Sequence, residues 1–310
     1  MKSRVTQDSL TAIYDLRYAP TSYDFGIFLV LADCINQLRG QGSFSVNVLC
    51  NDYQSRGQGV EKLSRQERIW KARNIFQSLS SLVPNIDEFK IITGPPPPLI
   101  GNLFPFNWTY SYRKSYLESY VARNAVELYY EGANPNVFRS TEMAREYVAE
   151  KYKTRYVTLS LNNSIHNEYG TDLDAWYRFY QYIESFGFDV FVIPDQEDLL
   201  FFRKFKSYPW KVFESASINL DLRFSFYEHA ATNFCNFSRL TSLLFYSKAP
   251  VIQFDQLING ERDEPFWAEN FGFKPGEQYP WASAEQIMTW ELSGFDRLCQ
   301  YFDAFLASQS

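Results

Sequence analysis

Apolar and polar positions alternate along the chain in a pattern that predicts strands and helices in turn. Residues 12–16 and 44–50 are mainly apolar runs of strand length, and residues 25–39 between them repeat apolar positions at helical spacing. Gly40 and Gly42 follow the predicted helix and end it. The chain therefore begins with a βαβ unit, for which a right-handed crossover is expected.

The remainder of the first half is less regular. A polar stretch at 51–66 predicts a long loop, residues 67–82 predict a helix, and residues 89–92 predict a short strand. Residues 110–130 have mixed helix and strand character, and the pattern does not decide between them. Residues 140–152 predict a helix that begins with a serine or threonine cap.

The second half repeats the alternation with clearer boundaries. Residues 233–254 combine a strand end, a polar turn at 236–239, a short helix and a buried strand after Pro250. Helices are predicted at 284–292 and 295–306. The earlier elements of this half are, in order, strand 156–161, helix 172–186, strand 189–193, helix 199–205, strand 210–213 and helix 220–231. This order predicts a second α/β domain.

Two consecutive α/β alternations in 310 residues predict two domains, each with its own core. We assign residues 1–130 to the first domain and residues 131–310 to the second, with the last helix, 295–306, as a candidate to cross back. The predicted fold class is α/β, with two Rossmann-like, doubly wound domains that face a cleft. Ligands of such sheets bind beyond the carboxyl ends of the strands.

Composition narrows the classes of ligand. With 30 Lys and Arg against 36 Asp and Glu, the chain has a formal net charge of −6. Binding to nucleic acid or to anionic membranes is driven by basic surfaces, so this charge argues against both. Phe, Trp and Tyr make up 18% of the residues, which suits stacking on flat or sugar-like ligands, although core packing explains the same content. Any bound nucleotide is expected to be small and held in a local pocket.

The cysteines and the hydropathy pattern bear on location. The cysteines at positions 34, 50, 235 and 299 form no Cys-x-x-Cys pair and predict neither a zinc site nor a redox dithiol. The N-terminus lacks the apolar run of a signal peptide, and no stretch reaches about 18 uninterrupted apolar residues. We therefore expect a cytoplasmic protein with no integral membrane segment and no nucleic-acid partner.

The polar turn and helix start at 236–241 form the first candidate phosphate site. The turn follows a predicted strand and opens a helix, where backbone N–H groups and the helix dipole favour an anion. Asn236, Ser238, Arg239 and Thr241 supply polar side chains there. A plain N-capped crossover is an equally good interpretation, because serine caps helices whether or not a ligand is present.

A long polar loop at 162–171 follows the first strand of the second domain. A pure connection needs only about 2 to 6 residues, so the excess length favours ligand binding. Its candidate donor-binding residues are Asn162, Asn163, Ser164 and His166. A lone loop histidine is more often an ordinary surface residue than a catalyst. Glu228, on the helix predicted at 220–231, is a candidate for ribose hydroxyls, with a solvated helix cap as the alternative.

The first domain offers carboxylates on the acceptor side. Asp15, Arg17, Thr21 and Asp24 cluster in and beside the loop after the first strand and are expected to face the cleft. A carboxylate at Asp24 or Asp15 would be placed to act as general base toward an acceptor hydroxyl. Arg17 and Thr21 are then acceptor-side contacts.

Asp172 and Asp174 match the Asp-x-Asp pattern of metal-dependent sugar transferases. They stand at a predicted helix start, where the helix dipole favours acidic residues, and we interpret them as capping residues. No metal site is therefore predicted. The chain also lacks Gly-x-Gly-x-x-Gly, P-loop, Gly-x-Ser-x-Gly and His-Glu-x-x-His motifs, which removes the commonest dinucleotide, ATP, hydrolase and zinc-protease functions.

The order of elements, with residues 233–254 and the C-terminal helices, resembles bacterial glycosyltransferases of the GT-B architecture, such as the heptosyltransferases. It also resembles uncharacterised proteins of surface-polysaccharide gene clusters, with motifs like Gly-Phe-Lys-Pro-Gly-Glu-Gln-Tyr-Pro-Trp at 272–281, Gln286 and Trp290. The turn at 236–241 matches the position of the family's donor-phosphate turn, with Phe-Ser-Arg where Gly-Pro is usual.

The resemblance implies a glycosyltransferase that moves a sugar from a nucleotide-sugar donor to a glycan or lipid-linked glycan in surface polysaccharide synthesis. The donor would bind the second domain and the acceptor the first. Transfer would need no metal and no cofactor, because helix dipoles and basic side chains stabilise the leaving diphosphate. The relatives carry an arginine near Asn162, which this chain lacks. The alternative, from a different class, is a non-catalytic nucleotide- or glycan-binding protein that retains the fold.

Overall fold

The computed structural model describes residues 9–50, 64–95, 101–106, 121–162, 171–195, 207–257 and 262–309. The chain forms two compact units. The first consists of Met1–Arg139 and Ala268–Gly272, and the second of Ser140–Trp267 and Phe273–Ser310. The assignment of an acceptor role to residues 1–130 and a donor role to residues 131–310 stays a prediction.

The first unit is built on a parallel sheet. Its strands are β1 (Leu10–Asp15), β2 (Phe44–Leu49), β3 (Ile86–Ile92) and β4 (Leu103–Phe104). Its helices are α1 (Asp24–Leu38), α2 (Arg65–Lys71), a π-helical turn (Ala72–Phe76), α3 (Gln77–Ser81) and α4 (Arg123–Tyr130). The strand order is β3-β2-β1-β4, and all neighbours are parallel. The predicted α/β class is therefore confirmed for this unit.

The opening βαβ unit forms the core of the first unit. Strands β1 and β2 pair in parallel over their whole length. Helix α1 is buried from Phe25 to Asn36, because most of its residues are apolar and other elements enclose it. The Tyr14 ring meets the rings of Phe25 and Phe28 edge-on, with centroids 4.9 and 5.0 Å away. These contacts fix the start of α1 beside the end of β1.

The helix predicted at 67–82 begins earlier than expected. The Ser64 hydroxyl accepts the Glu67 N–H at 3.2 Å, and the Glu67 carboxylate accepts the Ser64 N–H at 2.6 Å, which forms a capping box. The π-helical turn Ala72–Phe76 then separates α2 from α3. The loop predicted at 51–66 lies largely outside the described residues.

The second unit contains a larger parallel sheet. Its strands are β5 (Tyr156–Leu161), β6 (Asp189–Pro194), β7 (Thr232–Asn236), β8 (Val251–Phe254) and β9 (Gln286–Met288). Its helices are α5 (Glu142–Lys151), α6 (Leu173–Ser185), α7 (Glu214–Ile218), α8 (Leu220–His229), a 3-10 helix (Thr241–Tyr246) and α10 (Phe295–Ser308), and a further helix, α9 (Glu264–Phe271), is divided between the two units after Trp267. The strand order is β6-β5-β7-β8-β9. This is a doubly wound order, as predicted.

One apolar cluster forms the core on the α6 side of the sheet. Trp176 and Phe179 of α6, Phe234 of β7 and Phe302 of α10 are all fully buried in it. The C-terminal helix α10 therefore packs within the second unit. The part of the C-terminal region that belongs to the first unit is Ala268–Gly272.

The helix predicted at 284–292 is wrong. Residues Gln286–Met288 form β9, which pairs in parallel with β8 at the edge of the sheet. The buried Gln286 amide donates to the carbonyls of Leu244, Ser247 and Ala249 at 2.9 to 3.1 Å. These long-range bonds hold the segment extended, and a local sequence pattern does not reveal them.

Other predicted elements differ in the structure or lie outside the described residues. The strand at 210–213 is reduced to a single bridge between Val192 and Val212. The helix at 199–205 lies outside the described residues, and α9 was not predicted. Within the described ranges, no helix combines the length and apolar character needed to cross a membrane.

Candidate functional sites at the carboxyl edges of the sheets

Each sheet reverses its strand order at one point, and open α/β sheets bind ligands beyond the carboxyl ends of the strands at such a point. In the second sheet the reversal lies between β5 and β7, and in the first it lies between β1 and β4. The residues that end or follow these strands include Asp15, Asn162 and Asn236. The fold thus places sequence-predicted residues at both edges.

At the second sheet, Asn236 joins the ends of β5 and β7. Its Oδ1 accepts the Asn162 N–H at 2.8 Å, and its Nδ2 donates to the Asn162 carbonyl at 3.0 Å and to the Thr171 hydroxyl at 2.7 Å. The side chain is buried, and the hydrogen bonds of its amide go to Asn162 and Thr171. Asn236 therefore brings Asn162 and Thr171 together. The predicted residues Asn163, Ser164 and His166 lie outside the described residues.

Ser238 and Thr241 form a reciprocal cap at the start of the 3-10 helix. The Ser238 hydroxyl accepts the Thr241 N–H at 3.1 Å, and the Thr241 hydroxyl accepts the Ser238 N–H at 2.9 Å. The Thr241 hydroxyl donates to the Asn236 carbonyl at 2.9 Å. Both side chains are buried. The capping interpretation accounts for these contacts, and phosphate binding by the two hydroxyls stays a prediction.

Two glutamines that the sequence pattern did not indicate as site residues extend this arrangement. Gln253 of β8 donates from Nε2 to the Thr241 hydroxyl at 2.9 Å. Gln256 donates from Nε2 to Oε1 of Gln253 at 3.0 Å and to its carbonyl at 3.1 Å. Both glutamines are fully buried. Gln253 could have been recognised from the sequence, because it lies inside the apolar strand Val-Ile-Gln-Phe and a buried amide needs hydrogen-bond partners.

Cationic and aromatic side chains surround the same turn. Arg239 is exposed directly after Ser238. The Arg262 guanidinium lies 4.3 Å from the Phe237 ring centroid, and the fully buried Trp267 meets that ring edge-on at 5.6 Å. The edge of β7 therefore combines positive charge with an aromatic surface, a combination that suits an anionic ligand with a flat group.

Asp255, which follows β8, has a left-handed backbone with φ of 63°. Its carboxylate accepts the Ser293 N–H at 2.8 Å and the Ser293 hydroxyl at 2.7 Å. Burial raises the pKa of the Asp255 carboxyl above its ordinary value, whereas the Ser293 bonds and the charge of Arg262 lower it. A residue other than glycine in this conformation is uncommon and is found repeatedly at functional sites.

Asp195, at the carboxyl end of β6, is paired with a buried arginine. Arg223 of α8 donates from Nη2 to Asp195 Oδ1 at 3.0 Å, from Nη1 to the Pro194 carbonyl at 3.2 Å and from Nε to the Tyr227 hydroxyl at 2.6 Å. The Tyr227 hydroxyl also bonds Ser160 of β5 at 2.6 Å. Burial raises the pKa of Tyr227. Asp195 thus belongs to an internal network that ties α8 to two strand ends.

Glu228 lies in the last turn of α8, the helix that leads into β7 and therefore ends at the amino edge of the sheet. The neighbouring Ala231 N–H binds the carbonyl of Tyr156, the first residue of β5, at 2.9 Å. One Glu228 oxygen accepts the Ser140 N–H at 2.9 Å, and the other accepts the Ser140 hydroxyl. The structure does not bring Glu228 together with the carboxyl-edge residues.

At the first sheet, Asp15 and Arg17 form a buried ion pair. Arg17 Nε donates to the two Asp15 oxygens at 2.9 and 3.0 Å, and Nη2 donates to Oδ2. The Arg17 N–H adds a bond to Oδ1 at 3.0 Å. The Asp15 side chain is completely buried, and the guanidinium also lies over the Tyr18 ring at 5.0 Å. Both candidate residues are therefore held within the protein.

Asp24 and Thr21 occupy the entry to α1. Asp24 is the first residue of the helix and is partly exposed, and its Oδ2 accepts the Ser22 hydroxyl at 2.7 Å. Thr21 is buried, and its carbonyl accepts Lys71 Nζ at 3.4 Å. Of the two predicted bases, Asp24 is thus the one in contact with solvent.

The Asp-x-Asp pair has structural partners. Asp172 caps α6 by accepting the Ala175 N–H at 3.1 Å. Asp174 accepts the Tyr208 hydroxyl at 2.7 Å, and this bond raises the pKa of Tyr208 to about 12. In the part of the chain that the structure describes, no group of three His, Cys, Asp or Glu side chains could hold a metal ion.

The motif residues beyond residue 272 bind the backbone of the second unit. Trp281 Nε1 donates to the Phe245 carbonyl at 2.7 Å, and Trp290 Nε1 donates to the Glu277 carbonyl at 3.1 Å. Gln286 was described above as the anchor of β9. These residues therefore support the edge of the sheet.

Comparison with solved structures identifies the fold. The glycosyl transferase family 9 protein from Veillonella parvula DSM 2008 is 9% identical with a TM-score of 0.55, covering 97% of both chains. The ADP-heptose heptosyltransferase II of E. coli is 9% identical at a TM-score of 0.49, covering 97% of this chain and 99% of that one. E. coli heptosyltransferase WaaC with ADP is 9% identical with a TM-score of 0.47, covering 96% of this chain and 99% of that one.

The chain has the GT-B type of glycosyltransferase fold, as the sequence resemblance predicted. The whole length takes part in the similarity, which agrees with two successive parallel sheets. No protein-family profile matches the sequence, and no curated protein is detectably similar to it.

Proposed function

We propose that this protein transfers a sugar from a nucleotide-sugar donor to a glycan or lipid-linked glycan acceptor in surface polysaccharide synthesis. The observation that carries the proposal is the GT-B fold, shared over 97% of both chains with a glycosyl transferase of family 9. The donor is assigned to the second domain and the acceptor to the first. No cofactor beyond the nucleotide-sugar co-substrate is required.

Arg239 is the proposed contact with the donor diphosphate. Its side chain is exposed on the turn after β7, whereas the neighbouring Ser238 hydroxyl is buried in the cap. A guanidinium forms charge-assisted hydrogen bonds with phosphate and matches its geometry. In this proposal Asn236 and Thr241 hold the turn in place, and Arg239 stabilises the charge that develops on the leaving diphosphate.

Asp24 is the proposed general base. It is partly exposed at the start of α1, and Ser22 orients one of its oxygens. Asp15 is the weaker candidate, because Arg17 binds both of its oxygens and the side chain is completely buried. A general base must come within hydrogen-bond reach of the proton it removes.

Transfer is proposed to proceed without a metal ion in the cytoplasm. Asp172 and Asp174, which match a metal-binding pattern, are occupied by Ala175 and Tyr208. Activity should therefore survive EDTA, and a strict need for manganese or magnesium would contradict this part of the proposal. All four cysteines are free, as is usual in a reducing compartment.

A second function is favoured by one specific observation. The buried Asp15–Arg17 pair and the internally bonded hydroxyls of Ser238 and Thr241 leave fewer polar groups for chemistry than the sequence predicted. A protein that binds a nucleotide or a glycan without catalysis would need no general base. Turnover distinguishes the two functions, since only the transferase releases nucleoside diphosphate from a nucleotide sugar when an acceptor is supplied.

The donor site is tested by calorimetric titration of UDP, GDP, ADP and CMP into the protein and its Arg239→Ala variant. Loss of a charged partner costs about 1.5–3 kcal/mol, so we expect diphosphate binding to weaken by roughly tenfold to a hundredfold. Free nucleosides should bind as before. Lys248→Ala removes another exposed cation and serves as the charge-matched control. If Arg239→Ala binds normally but melts well below the parent, Arg239 is structural and the donor site lies elsewhere.

The base is tested by Asp24→Asn. Turnover should fall by roughly two to four orders of magnitude, while nucleotide affinity stays nearly unchanged, because the carboxylate acts on the acceptor. Full activity in this variant would remove Asp24 from the mechanism.

A further inference from the structure

The hydrogen bonds beyond the capped turn run in one direction. The Thr241 hydroxyl donates its proton to the Asn236 carbonyl, so its oxygen is left to accept from Gln253 Nε2. The Gln253 amide is therefore oriented with Oε1 toward Gln256, which donates from Nε2. Each amide orientation is fixed by the one before it. The last group in this chain is Oε1 of Gln256, an acceptor.

That terminal acceptor is unsatisfied. Oε1 of Gln256 is buried and has no hydrogen-bond partner among the residues that the structure describes, and Oγ1 of Thr289 is in the same condition. The two residues are neighbours, because the Thr289 N–H and Gln256 Nε2 both donate to the Gln253 carbonyl, at 2.8 and 3.1 Å. A protein rarely leaves buried polar atoms on two neighbouring residues unpaired unless a further group supplies the bonds.

The backbone holds Gln256 in this position at a cost. Asp255 adopts its left-handed conformation directly before Gln256, and Ser293 secures the Asp255 carboxylate with two hydrogen bonds. The turn lets Gln256 fold back onto Gln253 at the carboxyl edge of β8. Strained backbone and unpaired polar atoms thus coincide at the edge where this fold binds ligands.

We propose that Gln256 Oε1 and Thr289 Oγ1 form a subsite for a sugar hydroxyl. Gln256 Oε1 only accepts, so the ligand atom must carry a proton, and Thr289 Oγ1 both donates and accepts. A hydroxyl donates to the first and accepts from the second. A diphosphate oxygen has no proton to give and would oppose Gln256 Oε1. The subsite therefore differs in chemistry from the proposed phosphate contact at Arg239.

This inference rests on the proposed function and deepens it, because it assigns the part of the ligand that the β8 edge contacts. Two parts of a nucleotide sugar carry hydroxyls, the ribose and the transferred sugar. Their chemistry is the same, and titration of nucleoside diphosphates against the matching nucleotide sugars separates them.

The test uses Thr289→Val, which keeps the shape of the side chain and removes the unpaired hydroxyl. The melting temperature of the ligand-free variant should equal or exceed that of the parent, because a buried group without a partner has been deleted. Affinity for UDP-glucose, GDP-mannose or ADP-glucose, whichever the parent binds, should fall about tenfold. The same fall with the bare diphosphate would assign the ribose, and a fall with the nucleotide sugar alone would assign the transferred sugar.

Two further variants define the outcome. Gln256→Met keeps the length of the side chain without its amide and should weaken the same ligands at least as much. Ser225→Ala removes another buried hydroxyl without a partner, on α8, and should leave every affinity unchanged. Ser225→Ala therefore controls for the effect on stability of deleting an unpaired buried hydroxyl, and it leaves the subsite unchanged.

The inference fails, while the proposed function stands, if the parent binds a nucleotide sugar and the Thr289→Val and Gln256→Met variants both bind it equally well. A lower melting temperature for Thr289→Val with unchanged affinity would also overturn it, since an ordered water would then be the occupant. If the parent binds none of the nucleotides or nucleotide sugars, the proposed function fails together with the subsite.

Discussion

At the carboxyl edge of the first sheet, two buried charged side chains, Asp15 and Arg17, bind each other. At the corresponding edge of the second sheet, the buried groups are neutral amides and hydroxyls of Asn236, Thr241 and Gln253. The ion pair is closed, because the carboxylate and the guanidinium satisfy one another. The neutral chain is open, because each member accepts a hydrogen bond from the next, and the last, Gln256, presents an acceptor without a partner.

This contrast indicates where a ligand can still be bound. A closed pair offers stability and a fixed turn, but its charges are not available to a substrate without breaking the pair. An open chain is polarised in one direction and binds one more group of the right kind. We therefore expect substitutions at the first edge to act mainly on folding, and substitutions at the end of the second to act mainly on binding.

The largest effect is expected from Arg17→Met. This change leaves the Asp15 carboxylate buried without its partner, and breaking a buried ion pair costs about 3–5 kcal/mol. Urea unfolding monitored by circular dichroism measures the loss. The double variant Asp15→Leu, Arg17→Met should recover much of it, because no charge then remains buried. A loss below about 1 kcal/mol in the single variant would show that the pair is not closed.

Thr241→Val interrupts the neutral chain and should have the next largest effect. The Ser238 N–H and Gln253 Nε2 both lose their acceptor in a buried position, for a cost of about 2–3 kcal/mol. Ser242→Ala is the matched control, since its hydroxyl donates to a Ser238 carbonyl that also receives the Ser242 N–H. Equal unfolding midpoints for Thr241→Val and Ser242→Ala would contradict the chain.

The smallest effect concerns the pH dependence of stability. Burial raises the pKa of the Asp255 carboxyl, so its contribution favours the folded state below the ordinary aspartate pKa of about 3.9 and is lost as pH rises through the folded value. Asp255→Asn cannot ionise and tolerates the left-handed backbone. Its unfolding free energy should fall less than that of the parent as pH rises above about 3.9. Parallel curves would contradict a raised pKa.

Burial also raises the pKa of Asp33 on α1, despite hydrogen bonds from Gln37 and Asn85. The Asp33 contribution to the unfolding free energy is therefore also expected to decrease as pH rises. Asp33→Asn serves as the companion variant, and the double variant should combine the two changes, because sites without shared partners usually add. If Asp33→Asn alone removes the whole pH dependence of the unfolding free energy, Asp255 does not contribute to it.

The alternation of elements could be predicted because strands buried on both faces read as apolar runs. Strands β5 and β8 have the bounds expected from residues 156–161 and 251–254. The helix predicted at 284–292 was wrong because long-range contacts, and not the local pattern, determine the structure of this segment. Its extended form depends on Gln286, whose amide binds carbonyls some forty residues away. A pattern restricted to neighbouring residues contains no trace of such bonds.

The sequence predicted the positions of the candidate sites in the fold better than it predicted the contacts of their side chains. The loops after β1 and β7 lie at the carboxyl edges, as expected from chain order. Residue types alone did not indicate that Arg17 would bind Asp15, or that Thr241 would receive Gln253. Both contacts compete with a ligand for the same atoms, and the folded structure shows that the protein has used them.

The buried arginine of α8 has a consequence for the order of folding. Arg223 binds Asp195 and the Pro194 carbonyl at the end of β6, and its partner Tyr227 reaches Ser160 of β5. A guanidinium does not lose its charge in a protein, so it leaves water only when these partners have arrived. Docking of the helix and pairing of the two strands therefore become one event. The amide hydrogens of these three elements should exchange through a common opening.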